Sequence, residues 1–313
     1  MPRSRARDEP TLDLLTRDEL LRLTARHARR DGSTATAIPW LSLLRSSRTT
    51  PLTYGVIQPS LCLIVQGGKR LHVGRETHAY GAGSYVMSAL EFPTSGEITA
   101  ATLAAPYLAL RVSLEAAEIA AVVSEAKLDL RARPANPEPA VFVAASDPRL
   151  AACFLRLVQL LDEPDHAAFL ADAVKREILY RLVIGDRGLL IARTVKHTAL
   201  GVGKAIDWLR RHFRESIDVD ALARASRMSV SSLRHEFKAT TAMGLLQFQK
   251  QLRLQEARRL LLAGEVDAGA AAFRVGYESP SQFSREYRRL FGAPPIRDVH
   301  KLRVDAARME SLS

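Results

Sequence analysis

At 313 residues, with 47% hydrophobic side chains and a formal charge of +11, the chain is long enough for two domains with ordinary cores. No stretch approaches the roughly 20 apolar residues of a membrane span, and the charged start MPRSRARDEP is followed by no apolar run of a secretory signal. Two cysteines, Cys62 and Cys153, fit a reducing compartment, so the expectation is a cytoplasmic chain without a membrane partner or a disulfide framework.

In chain order, Thr16-Arg17-Asp18-Glu19 forms a capping box that predicts a short helix to about Arg30, ended by Asp31-Gly32. From Ala37 to Val112 short apolar runs alternate with turn residues: Leu61 to Val65, Gly67-Gly68, Leu71 to Gly74, Tyr85 to Met87. This pattern predicts a small antiparallel barrel over about 37–112, a shape that can enclose one small ligand. Trp40, Tyr54, Gln66, Tyr80, Tyr85 and Tyr107 are candidates to line it, although ordinary packing accounts for them equally. Cys62 alternates with Leu61 and Leu63 and faces away from both; it reads as a small buried hydrophobe before a reactive thiol.

Helices are expected from Ser113 to Ala126, from Pro148 (capped by Asp147) to about Leu161, and from about Ala167 to Ile184, with RPANPEP at 133–139 as a linker. Leu150, Phe154, Leu157 and Leu161, then Leu170, Val174, Ile178 and Leu182, keep helical spacing, as plain core or as a dimer interface. The segment 192–203 reads as a hinge, which sets the domains at 1–195 and 196–313.

Between Asp218 and Pro295 one helix-turn-helix pattern is written twice: Ser229, Leu233 and Phe237 correspond to Ser279, Phe283 and Tyr287. In the second copy Ser279-Pro280-Ser281-Gln282 is a capping box with proline at the first helical position. The apolar stripes leave Ser231, Arg234, His235 and Lys238 free on one helix, and Ser281, Gln282, Arg285, Arg288 and Arg289 on the other. Arginine pairs with guanine and glutamine with adenine through two hydrogen bonds, while further cations hold phosphates. Ser231, Arg234, His235, Ser281, Gln282 and Arg285 are the candidate base readers; Lys238, Lys250, Arg288 and Arg289 are the candidate phosphate contacts. A helix from about Leu245 to Ala263, closed by Gly264, separates the copies by roughly 28 Å, near one turn of DNA at ~34 Å. From Gly201 onward 20 Lys and Arg face 13 Asp and Glu, against 25 and 21 before it, so the basic excess is concentrated on this half.

The run from about Val202 to Val299, above all FRVGYESPSQFSREYRRLFGAPPIRD, resembles the DNA-binding region of AraC/XylS-type bacterial transcription regulators. Residues 20 to 125, with DGSTATAIPWLSLLR, SLCLIVQGGKRLHVG and APYLALRVSLEAAEI, are similar to the effector domain of one subgroup. The resemblance implies an α+β chain: a cupin-like barrel with flanking helices, then an all-α domain with two helix-turn-helix motifs joined by a long helix. It also implies promoter DNA and a small-molecule effector as partners, a homodimer, RNA polymerase if the chain activates, and a place on the nucleoid. Gly244-Leu245 stands where relatives begin the spacer with Ser-Pro, and Asp267-Ala268-Gly269-Ala270 is poor in bulky side chains, which predicts a less firmly seated second head.

A cupin metal site needs two histidines one residue apart with a carboxylate; His72 and His78 have five residues between them and read as surface or turn residues. No metal, cofactor or catalytic residue is expected. The alternatives are a ligand-independent regulator, one responding to oxidation of Cys62, and a cupin-type metalloenzyme with a DNA-binding tail.

Overall fold

The computed structural model describes residues 9–74, 76–127, 140–185, 187, 188, 190, 191 and 201–310. Backbone contacts divide the chain into two compact units, Met1–Leu200 with Ala239–Ala242, and Gly201–Lys238 with Met243–Ser313. The linker expected at 133–139 and residues 192–200 of the expected hinge lie outside the described residues. The α+β class holds, with the strands among the described residues all in the first unit.

Helix α1 (Glu9–His27) opens the first unit. It begins well before Thr16 and stops short of Arg30, so the Thr16–Glu19 box is not its start. Glu19 instead accepts two hydrogen bonds from Arg22, at 2.7 and 2.6 Å. A threonine inside a helix costs only a few tenths of a kcal/mol, too little to break one that buries Leu20 and Leu23.

Strands β1 (Gly32–Ala35), β2 (Leu41–Ser46), β3 (Thr53–Ile57), β4 (Ser60–Gln66), β5 (Gly68–Val73), β6 (Glu76–Gly81), β7 (Ser84–Ser88), β8 (Phe92–Ala100), β9 (Tyr107–Ser113) and β10 (Val141–Ala145) form two antiparallel sheets. One runs β1-β2-β9-β4-β7-β10 and the other β3-β8-β5-β6. The strand region is thus wider than 37–112: Gly32 starts a strand rather than ending a helix, and β10 joins beside β7, with Val143 opposite Val86. The Val-Phe-Val run of β10 has strand composition, but its pairing partner is more than 50 residues earlier.

Alternation gives the larger sheet two different faces. Leu41, Leu43, Leu61, Leu63, Met87 and Leu110 bury one face against α1, α3 (Pro148–Gln159) and α4 (Pro164–Ile184), where Phe154, Leu157, Ile178 and Leu182 meet them. Asp147 caps α3 by accepting the Leu150 N–H at 2.7 Å, and α2 (Ala116–Glu125) carries a capping box of Glu115 and Glu118. Helix α3 gives way to a 3-10 turn at Leu160–Asp162. Leu170 is exposed, because the buried stripe of α4 runs through Ala167, Ala171 and Val174 and passes it by.

On the other face Ile64, Tyr107 and Ala109 pack with Cys62, Tyr80 and Ile98, so Cys62 does face away from Leu61 and Leu63. The six candidate pocket residues separate. Trp40 donates to Asp172 at 3.0 Å and Tyr85 packs on Phe142 in the helix-covered core. Gln66 donates to the Pro106 carbonyl at 2.8 Å, and Tyr54, paired with Ser95, is on the opposite face of its sheet from Ile98. His72 and His78 are strand residues, not turn residues. Their register, His72 opposite Thr77 and Leu71 opposite His78, puts them on opposite faces of one hairpin. Among the described residues no three His, Cys, Asp or Glu converge as metal ligands, and no helix is long and apolar enough to cross a membrane.

Candidate nucleic-acid interface

The second unit is built from α5 (Val202–Arg211), α6 (Val219–Ala225), α7 (Val230–Thr241), α8 (Leu245–Ala263), α9 (Ala268–Arg274), α10 (Pro280–Phe291) and α11 (Pro295–Glu310). The duplication reaches hydrogen-bond level. Asp218 caps α6 by accepting the Ala221 N–H at 2.9 Å, and Asp267 caps α9 by accepting that of Ala270 at 2.7 Å. Ser229 and Ser279 cap α7 and α10 through the N–H groups of Ser232 (3.1 Å) and Gln282 (3.3 Å). Each turn has one left-handed residue, Arg227 and Gly276. Only the second must be glycine, since a Cβ there would stand 2.3 Å from the Arg214 carbonyl oxygen.

Each head has its own core. In the first, Leu222, Leu233 and Phe237 are buried, and Phe237 meets Phe248 of α8 edge-on at 5.2 Å. In the second, Leu254, Ala257 and Leu260 of α8 pack with Ala271, Ala272, Phe283 and Tyr287. The alanines Ala271 and Ala272 of α9 are fully buried, and aromatic contacts Tyr277–Phe283, Phe283–Tyr287 and Tyr287–Phe291 at 4.4–5.5 Å fill the space beside them. The bulk missing from α9 is thus supplied by α10 and the turn before it. A bidentate Arg258–Asp298 pair, at 2.7 and 2.8 Å, joins α8 to α11, and Tyr287 donates to the same carboxylate at 2.8 Å.

One side chain ties the heads together. Arg253, in the middle of α8, donates to the carbonyls of Phe213 (2.6 Å), Arg214 (3.0 Å) and Glu215 (2.9 Å) after α5, and to that of Gly276 (2.8 Å) in the turn of the second head. Gln249 adds bonds to Phe213 and Glu215. Nothing in QLRLQEARR distinguishes this arginine from its basic neighbours, so it escapes a sequence reading.

Ser231, Arg234, His235 and Lys238 are exposed or half-exposed on α7, as are Ser281, Gln282, Arg285, Arg288 and Arg289 on α10. Only the serine half of the second capping box forms; Gln282 donates to Glu286 at 3.4 Å instead. Lys250 is exposed but not free, because its ammonium meets the same Glu286 carboxylate at 2.9 Å. The fold therefore brings Gln282 and Lys250 to one acid, in a groove of about 570 Å³ that Arg214, Leu246 and Tyr277 also line. Glu286 is the residue sequence reasoning missed, and its place one helical turn after Gln282 was the available signal.

Two capped, separately packed helix-turn-helix heads on one spacer, in a chain that also carries a two-sheet unit, define a two-headed transcription regulator. Residues 37–189 match the family described as AraC-type transcriptional regulator N-terminus, and residues 222–298 match a helix-turn-helix domain. Together the two matches support an AraC-type transcriptional regulator. It is 28% identical over 147 residues to the HTH-type transcriptional activator RhaS of Escherichia coli O1:K1 / APEC, covering 47% of this chain and 52% of that protein. The chain thus spans about half the length of the curated relatives it matches. Its fold is similar to that of unsaturated fatty acid bound wild-type ToxT from Vibrio cholerae strain SCE256, with a TM-score of 0.52 at 10% identity over 83% of this chain and 93% of that one.

Proposed function

We propose that the chain is a one-component, non-enzymatic transcription regulator: α7 and α10 read promoter DNA, and a small molecule held by the two-sheet unit changes that binding. The observation that carries it is the exposed polar and basic face left on each of two separately packed recognition helices. Ser231, Arg234, His235, Ser281, Gln282 and Arg285 read bases; Lys238, Arg288 and Arg289 hold phosphates, as does Lys250 once it leaves Glu286. RhaS is named an activator, which supports the same role here with RNA polymerase as partner. The chain acts on the nucleoid.

Dimerisation belongs to the same proposal, with a second copy of this chain on α4. Phe169, Tyr180 and Ile184 are 84%, 46% and 50% exposed along one side of that helix, with the small Ala173 between them. An antiparallel pair centred between Ala173 and Arg176 sets Phe169 against Tyr180, a self-complementary apolar surface. The test of the whole reading is a footprint on DNA upstream of the chain's own gene, with and without candidate metabolites. Equal affinity for that DNA and for a random duplex would defeat it.

A further inference from the structure

The facing sides of the two sheets carry two cations and a phenol that, among the described residues, meet no acid. Cys62 pairs with Arg111, and Arg111 with Ser42, so strand alternation sets these three in one row on the face that looks at the smaller sheet. There Lys69, Tyr80 and Ile98 form a row, with Leu71 and His78 in the next. Ile64, Tyr107 and Ala109 pack against Tyr80 and Ile98, which turns the rows toward each other.

Arg111 donates to Ser42 Oγ at 3.1 Å, and among the described residues neither it nor Lys69 meets a carboxylate. Both stand near Cys62: burial pushes that thiol up, and the two cations pull the other way. Tyr107, 2% exposed, has a buried hydroxyl that meets no hydrogen-bond partner among the described residues. His78 Nε2 is also buried without a hydrogen bond, its nearest acid Glu76 lying 3.5 Å off at the strand end. Buried polar groups are paired as a rule, and a neutral polyol would need acceptors for its own hydroxyls. These rows offer two cations and a phenol, between walls of Leu44, Ile64, Ile98 and Ala109.

We propose that a small carboxylic acid with an apolar body binds between these facing rows, its carboxylate taken by Arg111 and Lys69 with the Tyr107 hydroxyl as third donor. The proposal rests on the reading that the two-sheet unit senses a small molecule, and it names the chemical class. Arginine matches a carboxylate with two parallel bonds. The apolar walls exclude water from the rest of the molecule.

Thermal melting of the full chain tests it, with hexanoate, cyclohexanecarboxylate and phenylacetate each set against its own amide, and inorganic phosphate alongside. At least one acid should raise the midpoint in a saturable way while its amide does not. Arg111→Met should raise the half-saturating concentration tenfold or more, and Tyr107→Phe severalfold. Ligand-free Lys69→Met should melt no lower than wild type, because an unpaired cation beside a second one contributes no stability. Amides acting like the acids, a response that survives Arg111→Met with Lys69→Met, or no shift with any acid at millimolar concentration would each overturn the proposal. Phosphate acting as well as the acids would overturn the apolar body. If Arg111→Met does not fold, arginine is structural there and the claim stands or falls on Lys69→Met and Tyr107→Phe. An acid that binds by these criteria but leaves the DNA footprint unchanged defeats the effector reading and spares the site; a neutral metabolite that alters the footprint does the reverse.

Discussion

Lys250 Nζ lies 2.9 Å from Glu286 Oε1, so a cation of the spacer helix is neutralised by the second recognition helix itself. Burial pushes the Glu286 carboxyl up, but Lys250, the Tyr277 hydroxyl at 2.8 Å and Gln282 together hold it below its ordinary range. To reach a phosphate, Lys250 must leave this acid. Glu286→Gln keeps the shape and frees the lysine, so log affinity for a mixed-sequence duplex should fall more steeply with log salt, by about 0.9 for one added phosphate contact. An unchanged slope, read by fluorescence anisotropy across a salt series, would mean Lys250 does not face the phosphates.

Arg234 and Arg285 are each exposed, on α7 and α10. Replacing either by alanine should cost about 1–3 kcal/mol on the specific site and relax base preference at one position. If affinity falls equally on operator and random DNA, that arginine is a phosphate contact.

Arg253 satisfies four main-chain carbonyls from the two heads at once. Arg253→Leu should destabilise the chain by about 2–3 kcal/mol and loosen one head against the other. Specific affinity should then drop more than non-specific affinity, since only the former needs both heads in register. Equal losses in the two binding assays would limit Arg253 to a stability role.

Phe169 presents a large apolar side chain to water on the first unit's longest described helix. Phe169→Glu puts an acid on the proposed self-association surface and should convert a dimer to a monomer without lowering the melting midpoint of the folded unit appreciably. Sedimentation equilibrium decides the matter: a variant that remains dimeric places the interface elsewhere.

Glu177 accepts from Arg156 and from Arg181 Nε (2.9 Å), and these bonds hold its carboxyl down at about 2. Because the folded value lies below the ordinary 4.5, the stabilisation is complete above about pH 4.5 and is lost as pH falls toward 2. The side chain is 32% exposed and Arg156 49%, so solvent screening reduces the effect to roughly 1 kcal/mol. Denaturant titrations of wild type and Glu177→Gln should differ by that amount at pH 7 and converge as pH falls toward 2; parallel curves would contradict the assignment.

The two heads are legible in the amino-acid sequence because their signals are local. Asp218, Ser229, Asp267 and Ser279 each bond a residue three positions on, and Gly264 ends α8 where a left-handed residue is needed. Local signals also mislead: a capping box permits a helix start at Thr16 but does not compel one when burial further along favours continuation. What the sequence could not reveal depends on partners far away in the chain. Strand alternation told that Cys62 opposes Leu61, but only the order β2-β9-β4 and the helices laid on one face decided which side packs on the helices and which faces the other sheet. In the same way Lys250 reads as a free cation in sequence, and its partner Glu286 arrives only through the packing of α8 against α10. A side chain's chemistry is set by residue type, but its availability is set by what the tertiary fold brings within hydrogen-bond distance.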